Sequence, residues 1–247
     1  MNTSFDIQVA GRRISIQPRS PLLVRFFRGY ECNEPGEILI SNDENDIVYE
    51  REKSRKEDLL EGIEPREFSE EYLEFIAVHR KLSEALFDYN TLLFHGSVVA
   101  VDGEAYLFTA KSGTGKSTHT RLWREVFGDR AVMVNDDKPF LEITENGVYA
   151  CGSPWNGKHG LGSNLRVPLK AICILGRGTE NQIRQIQPKD ALFMLLQQSN
   201  RPRNPRNMAK YMELVDRLSV GVGLYKLACN ISTEAVEIAY NAMHESE

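Results

Sequence analysis

The stretch FTAKSGTGKST, residues 108–118, decides how this sequence is interpreted. It nearly matches the phosphate-binding pattern G-x-x-x-x-G-K-[ST], except that Ala110 stands at the first glycine. Phosphate oxygens need several donors from one side, and backbone N–H groups at a helix N-terminus supply them. Gly113 and Gly115 let the backbone come close to a ligand, and alanine is acceptable at 110 if its φ stays negative. The stretch predicts a phosphate-binding loop, with an ordinary glycine-rich turn as the alternative.

The segments on either side place this loop between a strand and a helix. In HGSVVAVDGEAYLFTA, residues 95–110, two apolar runs flank Asp102-Gly103, which is a strong hairpin signal. The loop would then follow the second strand of an antiparallel hairpin, whereas the usual βαβ unit places it after a parallel strand. A helix is expected from Lys116 to about Phe127, ended by Gly128.

A second feature is a pair of acids, Asp136-Asp137, after the apolar run Val132–Val134. A carboxylate at the end of a core strand, beside a phosphate loop, is where a magnesium-binding acid is expected. The second acid could serve as a base toward a hydroxyl. Consecutive strand side chains point opposite ways, so this division requires the strand to end by Asp136. The alternative is that the two acids cap the strand in solvent.

His95-Gly96 at the entrance of the hairpin is the third feature, and such a histidine alone is more often structural than catalytic. Together, HG (95–96), SGTGKST (112–118) and NDD (135–137) resemble the bacterial HPr serine kinase/phosphorylase family and, more distantly, ATP-dependent phosphoenolpyruvate carboxykinase. In those families the loop follows an antiparallel strand pair and reads S-G-x-G-K-[ST], with a double aspartate some twenty residues later. The resemblance covers about residues 92–140 and is absent before residue 68.

The resemblance implies an α/β fold: an HPr kinase-like P-loop core with a mixed, partly antiparallel sheet flanked by helices. Residues 67–247 would form this ATP-binding domain. Residues 1–66 are expected to be a small β-rich segment and a charged connection, with hairpins in FDIQVAGRRISIQ (5–17) and EILISNDENDIVYE (37–50). The solvated connection would be EREKSRKED, 50–58, and a helix would follow from about Ser69 to Tyr89.

The resemblance also assigns roles to individual positions. Asp136 would be the base, and His95 would lie next to it and tune its pKa. Ser117 and Asp137 would hold Mg²⁺, and Lys116 would bind the phosphates. The whole nucleotide-binding set would be Ser112, Gly113, Thr114, Gly115, Lys116, Ser117 and Thr118.

The chain departs from the HPr kinase pattern at GSPWNGKHGLGSN, residues 152–164, where a different second signature is expected. This puts phosphorylase activity and HPr as substrate in doubt. Its glycines suggest a mobile lid, with Lys158 as a phosphate contact beside His159; a plain surface loop is the equal alternative. Trp155 could stack on a base but is more typical of core packing. The arginines of RPRNPR, 201–206, could steer an acidic substrate, although a solvated loop is favoured.

The bulk composition limits the partners. Among 247 residues, 41% are hydrophobic and 26% charged, and the net charge of -5 does not suggest a nucleic acid or membrane surface as partner. The sequence has no signal-peptide layout and no apolar run of roughly 20 residues, and its four cysteines are scattered. These features together predict a cytoplasmic protein.

The predicted function is an ATP- and Mg²⁺-dependent kinase that phosphorylates a hydroxyl, in the first place a serine of a protein or peptide. The same chemistry on a small molecule such as free serine, or a nucleotide-binding module without transfer activity, stays open. HPr kinase relatives also occur in peptide-modification gene clusters, and the resemblance favours an assembly of identical chains.

Overall fold

The computed structural model of the protein describes residues 4–245, apart from the side chain of Lys158. The chain divides into two compact units, one up to Leu86 and one from Phe87 onward. Within residues 4–245, none of the helices combines the length and the apolar character that a bilayer span requires.

The N-terminal unit contains a three-stranded sheet and two helices. Strands β1 (Phe5–Val9) and β2 (Arg12–Gln17) form the predicted antiparallel hairpin, and β3 (Ile38–Ser41) pairs parallel with β2. The hairpin turn places Ala10 at φ 51 and Gly11 at φ 71, the left-handed conformation that such tight turns require. A short 3-10 helix (Pro21–Phe27) precedes β3, and helices α1 (Glu44–Leu60) and α2 (Glu70–Phe87) follow it.

The second predicted hairpin, over residues 37–50, is wrong, and so is the charged connection at 50–58. Asp43 begins α1 instead, because its carboxylate accepts from the Asp46 N–H while the Asp46 carboxylate accepts from the Asp43 N–H, a reciprocal N-terminal cap. The charged residues of the helix are not all solvated. Glu50 and Asp58 are each 1% exposed, and they pair with Arg80 and Arg66 respectively.

Helix α2, predicted from residue 69 onward, belongs to this first unit, whereas the sequence boundary at 66/67 assigned it to the second. The buried Glu74 carboxylate accepts from the backbone N–H groups of Arg19 at 2.6 Å and Ser20 at 3.1 Å. Such long-range hydrogen bonds are not visible in the periodicity of the helix, which is why the compact unit ends twenty residues later than the composition shift indicates.

The C-terminal unit is a nine-stranded mixed sheet flanked by helices. Its strands are β4 (Thr91–Leu93), β5 (Ser97–Val101), β6 (Glu104–Thr109), β7 (Ala131–Asn135), β8 (Phe140–Thr144), β9 (Gly147–Cys151), β10 (Arg166–Arg177), β11 (Gln182–Gln185) and β12 (Gly223–Cys229). They pair in the order β4-β8-β9-β10-β6-β5-β7. Outside this order, β12 pairs with β10 and also with β11. The helices are α3 (Lys116–Phe127), α4 (Pro188–Gln198), α5 (Met208–Gly221) and α6 (Thr233–His244).

Two hydrophobic clusters fill this unit. One includes residues of α4 and α5, such as Leu195 and Tyr211. The other includes residues of α3 and α6, such as Trp123 and Val236. The helix expected at 116–127 is confirmed as α3, and α3, α4, α5 and α6 each bury one face in a cluster.

One edge of the sheet collects several strand ends. Strands β5 and β6 form the predicted hairpin through Asp102 and Gly103, and β6 also pairs parallel with β10, which pairs parallel with β12. Strand β7 is antiparallel to β5 and so runs in the direction of β6. The carboxyl ends of β6, β7, β10 and β12 therefore meet at the same edge, which is where ligands bind in many open α/β sheets.

Candidate functional site

The glycine-rich loop, residues 110–115, joins β6 to α3. Gly113 and Gly115 have φ values of 75° and 119°, which are left-handed conformations that favour glycine. Ala110 is buried and is not among the residues with positive φ, so its Cβ is accommodated. The substitution at this position therefore leaves the loop intact.

The start of α3 leaves backbone donors available. Gly115 precedes the helix without a side-chain cap. In the described part of the chain, the backbone N–H groups of Gly113, Gly115, Lys116 and Ser117 donate to no protein acceptor. A helix N-terminus with free amides and a partial positive charge is suited to bind an anion.

Lys116 adds a full positive charge at the same place. Its side chain is half-buried, and Nζ lies 3.4 Å from the carbonyl oxygen of Ala110. Burial lowers the pKa of this ammonium group, while the charges of Asp137 and Asp136 act in the opposite direction. The lysine is thus partly desolvated and electrostatically coupled to the two acids.

Asp136 is held in the interior of the second unit. Strand β7 ends at Asn135, as the division of roles between the acids requires. The Asp136 side chain is buried, and its Oδ1 accepts from Ser97 Oγ at 2.7 Å. Ser97 Oγ lies 2.9 Å from Thr120 Oγ1. Strand β5 and helix α3 therefore fix this carboxylate together.

Asp137 is the more accessible acid. Its Oδ1 lies 3.3 Å from His95 Nε2, and its Oδ2 lies 3.5 Å from Lys138 Nζ. Burial acts to raise the Asp137 pKa, but the hydrogen bond from His95 and the charge of Lys138 outweigh it and hold the pKa below its usual value. The resemblance placed His95 next to Asp136, whereas the contact that the structure shows is with Asp137. The two acids diverge after the strand end, so that Asp136 turns toward Ser97 and Asp137 toward His95.

Asn135 organises the turn that carries both acids, and sequence reasoning missed it. The side chain is fully buried, and its Oδ1 accepts from the N–H groups of Asp137 at 2.8 Å and Lys138 at 2.6 Å. Its Nδ2 donates to Ser153 Oγ at 3.1 Å and to Asn156 Oδ1 at 2.8 Å. An asparagine directly before paired acids at a strand end is the available signal, because asparagine forms such turns readily. Ser97 carried no comparable signal.

The loop of residues 152–164 comes close to the acids. A Cβ added at Gly157 would lie 3.0 Å from the Cβ of Asp137, and one added at Gly152 would lie 1.8 Å from the Ser163 carbonyl oxygen. These contacts explain two of the glycines by close packing. Trp155 is buried, in agreement with the core-packing interpretation.

One cavity gathers most of the predicted site residues. It has a volume of about 440 Å³, and we call it the loop cavity. Its lining residues are His95, Ser112, Gly113, Gly115, Lys116, Ser117, Thr118, Asp136, Asp137, Gly157 and His159.

Five predicted or considered positions are not among these lining residues. Thr114 lies elsewhere on the loop, and its hydroxyl donates to the Lys111 carbonyl oxygen at 2.8 Å. The side chain of Lys158 is outside the described part of the structure. Arg201, Arg203 and Arg206 are exposed and do not line the loop cavity.

The residues present are compatible with Mg²⁺ bound together with a nucleotide. Within the described residues, no group of three or more His, Cys, Asp or Glu side chains is arranged to hold a metal ion. Mg²⁺ in phosphoryl-transfer sites usually takes one or two carboxylates, with the remaining ligands from phosphates and water. Ser117 and Asp137 line the same cavity and fit that requirement.

These features define a mixed α/β protein in which free amides at a helix N-terminus, a partly buried lysine and two strand-end acids face one cavity. Residues 65–237 match the family model described as SynChlorMet cassette protein ScmC. This match spans well over half of the chain, and the chain belongs to the ScmC family.

Comparison with other proteins adds little beyond this family. The HPr(Ser) kinase/phosphatase from Coxiella burnetii is similar at 11% sequence identity, over 61% of this chain and 95% of that chain, with a TM-score of 0.36. A structural likeness of that degree supports no functional argument. No curated protein matches the chain.

Proposed function

We propose that the protein is an ATP- and Mg²⁺-dependent kinase that transfers the γ-phosphoryl group to a hydroxyl, in the first place a serine of a protein or peptide. The observation that carries the proposal is the loop cavity. It brings the free amides of the loop, the Lys116 ammonium group and both acids to one space of about 440 Å³. Phosphoryl transfer depends on positioning and charge neutralisation more than on covalent chemistry.

The loop side of the cavity would bind the triphosphate. The free N–H groups of Gly113, Gly115 and Lys116 favour an anion site at the start of α3. The Lys116 side chain would add a positive charge to that site. Ser117 and Asp137 would hold Mg²⁺, which when bound neutralises phosphate charge. His95, 3.3 Å from Asp137, would hold that carboxylate in place.

The acid side of the cavity would receive the hydroxyl. Asp136 would accept the proton of that hydroxyl. Its Oδ1 already accepts a hydrogen bond from Ser97 Oγ. The other oxygen, Oδ2, would then serve as the acceptor. A positioned carboxylate of this kind contributes typically 10²–10⁴-fold to rate.

The proposal is tested by incubating the full-length protein with γ-labelled ATP, Mg²⁺ and two acceptor sets, serine-containing peptides and free serine, with mass spectrometry as readout. A phosphate gained by a serine hydroxyl is the expected result. Label found only on free serine would restrict the enzyme to small molecules. If the protein bound ATP but transferred phosphate to no acceptor, the kinase proposal would be overturned. The protein would then be a nucleotide-binding module without transfer activity.

A further inference from the structure

A second cavity lies on another side of the glycine-rich loop, and the proposed phosphate chemistry does not use it. It has a volume of about 510 Å³ and shares Gly113, Gly115 and Thr118 with the loop cavity. We call it the strand-end cavity, because its other walls come from the ends of β10 and β12. The remaining lining residues are Thr114, His119, Leu122, Leu175, Gly176, Arg177, Gly178, Cys229, Asn230 and Ile231.

The walls of the strand-end cavity are mainly apolar. Leu122 on α3 and Leu175 on β10 are each 7% exposed, and Ile231 after β12 is 76% exposed. Apolar walls with a few placed polar groups, in a volume of this size, are typical of sites for small organic ligands. By contrast, neither acid of the loop cavity is among the residues that line this space.

His119 is the buried polar group of this wall. The residue is 3% exposed, and its Nε2 accepts from Trp123 Nε1 at 3.1 Å, so the hydrogen-bond pattern assigns the ring proton to Nδ1. In the described part of the chain this side chain makes no other hydrogen bond. Burial lowers its pKa to about 4, so the ring is neutral near pH 7. His119 therefore has one N–H donor left for a ligand in the cavity.

We propose that the strand-end cavity holds the base and ribose of the nucleotide, with His119 Nδ1–H donating to a ring nitrogen or carbonyl of the base. The inference rests on the proposed function and extends it. Thr118 lines both cavities, so a nucleotide can pass from one to the other beside this residue. The flat base would lie against Leu122 and Leu175, while the triphosphate lies against the free amides.

Cys229 offers a direct test, because it lines the strand-end cavity and is partly exposed. The rate of its alkylation by iodoacetamide is measured by peptide mass spectrometry with Mg-ATP, with Mg-tripolyphosphate and with Mg²⁺ alone. ATP should slow the reaction several-fold, whereas tripolyphosphate, which has no base, should not. Cys32 in the N-terminal unit is also partly exposed and serves as the internal control, with the same rate in all three samples.

Binding measurements on variants give a second readout. Ile231→Asn removes an apolar side chain of the strand-end cavity without adding a charge, so it should raise the Kd for ATP several-fold and leave that for tripolyphosphate unchanged. His119→Phe keeps a ring against Phe108 but removes the donor, and should weaken ATP roughly threefold to tenfold. Phe127→Leu perturbs the same aromatic cluster without changing a residue that lines the cavity or the hydrogen bond that orients His119 and serves as the packing control.

The outcomes separate the two proposals. If ATP binds with tripolyphosphate-like affinity and Cys229 reacts equally fast with and without ATP, the base lies elsewhere and the inference fails while the kinase proposal stands. Equal weakening by His119→Phe and Phe127→Leu would also overturn the role of His119. If neither ATP nor tripolyphosphate binds the unaltered protein, the proposed function fails and the inference fails with it.

Discussion

His95 Nε2 lies 3.3 Å from Oδ1 of Asp137. The contact joins the residue before β5 to the acid after β7, and a second bond supports it, since the Gly96 N–H donates to the Asp137 carbonyl oxygen at 3.1 Å. His95 thus contacts Asp137, which we propose as a Mg²⁺ ligand, rather than Asp136, which we propose as the base.

The first prediction follows from this contact. His95→Ala should raise the Mg²⁺ concentration needed for half-maximal transfer, because Asp137 loses a neighbour that fixes its position. The measurement is a Mg²⁺ titration of initial rates. His244→Ala, a histidine on α6 that contacts Glu104 and does not line the loop cavity, is the matched control. An unchanged Mg²⁺ requirement in the His95 variant would contradict the assignment.

Lys116 is expected to contribute to ATP affinity. Hydrogen bonds to charged groups are worth about 1.5–3 kcal/mol, so Lys116→Ala should weaken ATP binding by roughly tenfold to hundredfold in calorimetry. Lys111→Ala removes an exposed lysine of the same loop that does not line the loop cavity and should have little effect. Equal affinities of the two variants would remove the basis for a phosphate site at the start of α3.

Asp136 is expected to be needed for transfer but not for binding. Asp136→Asn keeps the shape of the side chain and its bond from Ser97, yet it cannot take a proton. ATP affinity should be retained while the transfer rate falls by about 10²–10⁴-fold, measured with the acceptor identified by mass spectrometry. Transfer at the unaltered rate would show that another group accepts the proton.

Ser97 should act through Asp136. Ser97→Ala removes the hydrogen bond to Oδ1 and should lower kcat with little change in KM for ATP, since the residue does not line the loop cavity. Ser97→Thr keeps a hydroxyl at this position and should restore part of the rate. If the threonine variant were as slow as the alanine variant and equally stable, the hydroxyl would have no positioning role.

The N-terminal unit gives a pH prediction. Burial acts to raise the Asp46 pKa, but hydrogen bonds from Lys81, the Asp43 backbone and Arg80 outweigh it and lower the pKa from 3.8 to about 2. A carboxyl group whose pKa is lower in the folded state than in the unfolded state stabilises the folded state at pH values above the unfolded-state pKa. This contribution is lost as the pH falls through the folded-state pKa of about 2.

Asp46→Asn should therefore lower the free energy of unfolding at pH 6 by about 1 kcal/mol, once solvent screening is allowed for. The difference from the unaltered protein should shrink as the pH falls from 4 toward 2. Urea unfolding at both ends of this range measures it, with the exposed Glu52→Gln on the same helix as control. A difference that stays constant over the range would exclude the ion pairs as its origin.

Local signals predicted the second unit better than the first. The bounds of α3 and the turn at Asp102-Gly103 follow from short-range preferences of glycine and from apolar periodicity, so the sequence sufficed. Helix α1 was missed because its charged face resembles a solvated linker, and only the distant Arg80 and Arg66 show that Glu50 and Asp58 are paired. The partner of His95 was missed for a related reason: the direction of two consecutive side chains after a strand end depends on the turn that Asn135 makes.

Gly113, Gly115 and Thr118 line both cavities, and Arg177 ties the loop to the sheet by donating from Nη2 to the Gly113 carbonyl oxygen at 2.7 Å. A compound bound in the strand-end cavity would therefore contact glycines that also line the cavity of the two acids. Because neither Asp136 nor Asp137 lines the strand-end cavity, an uncharged compound could reach the loop from that side without resembling a phosphate.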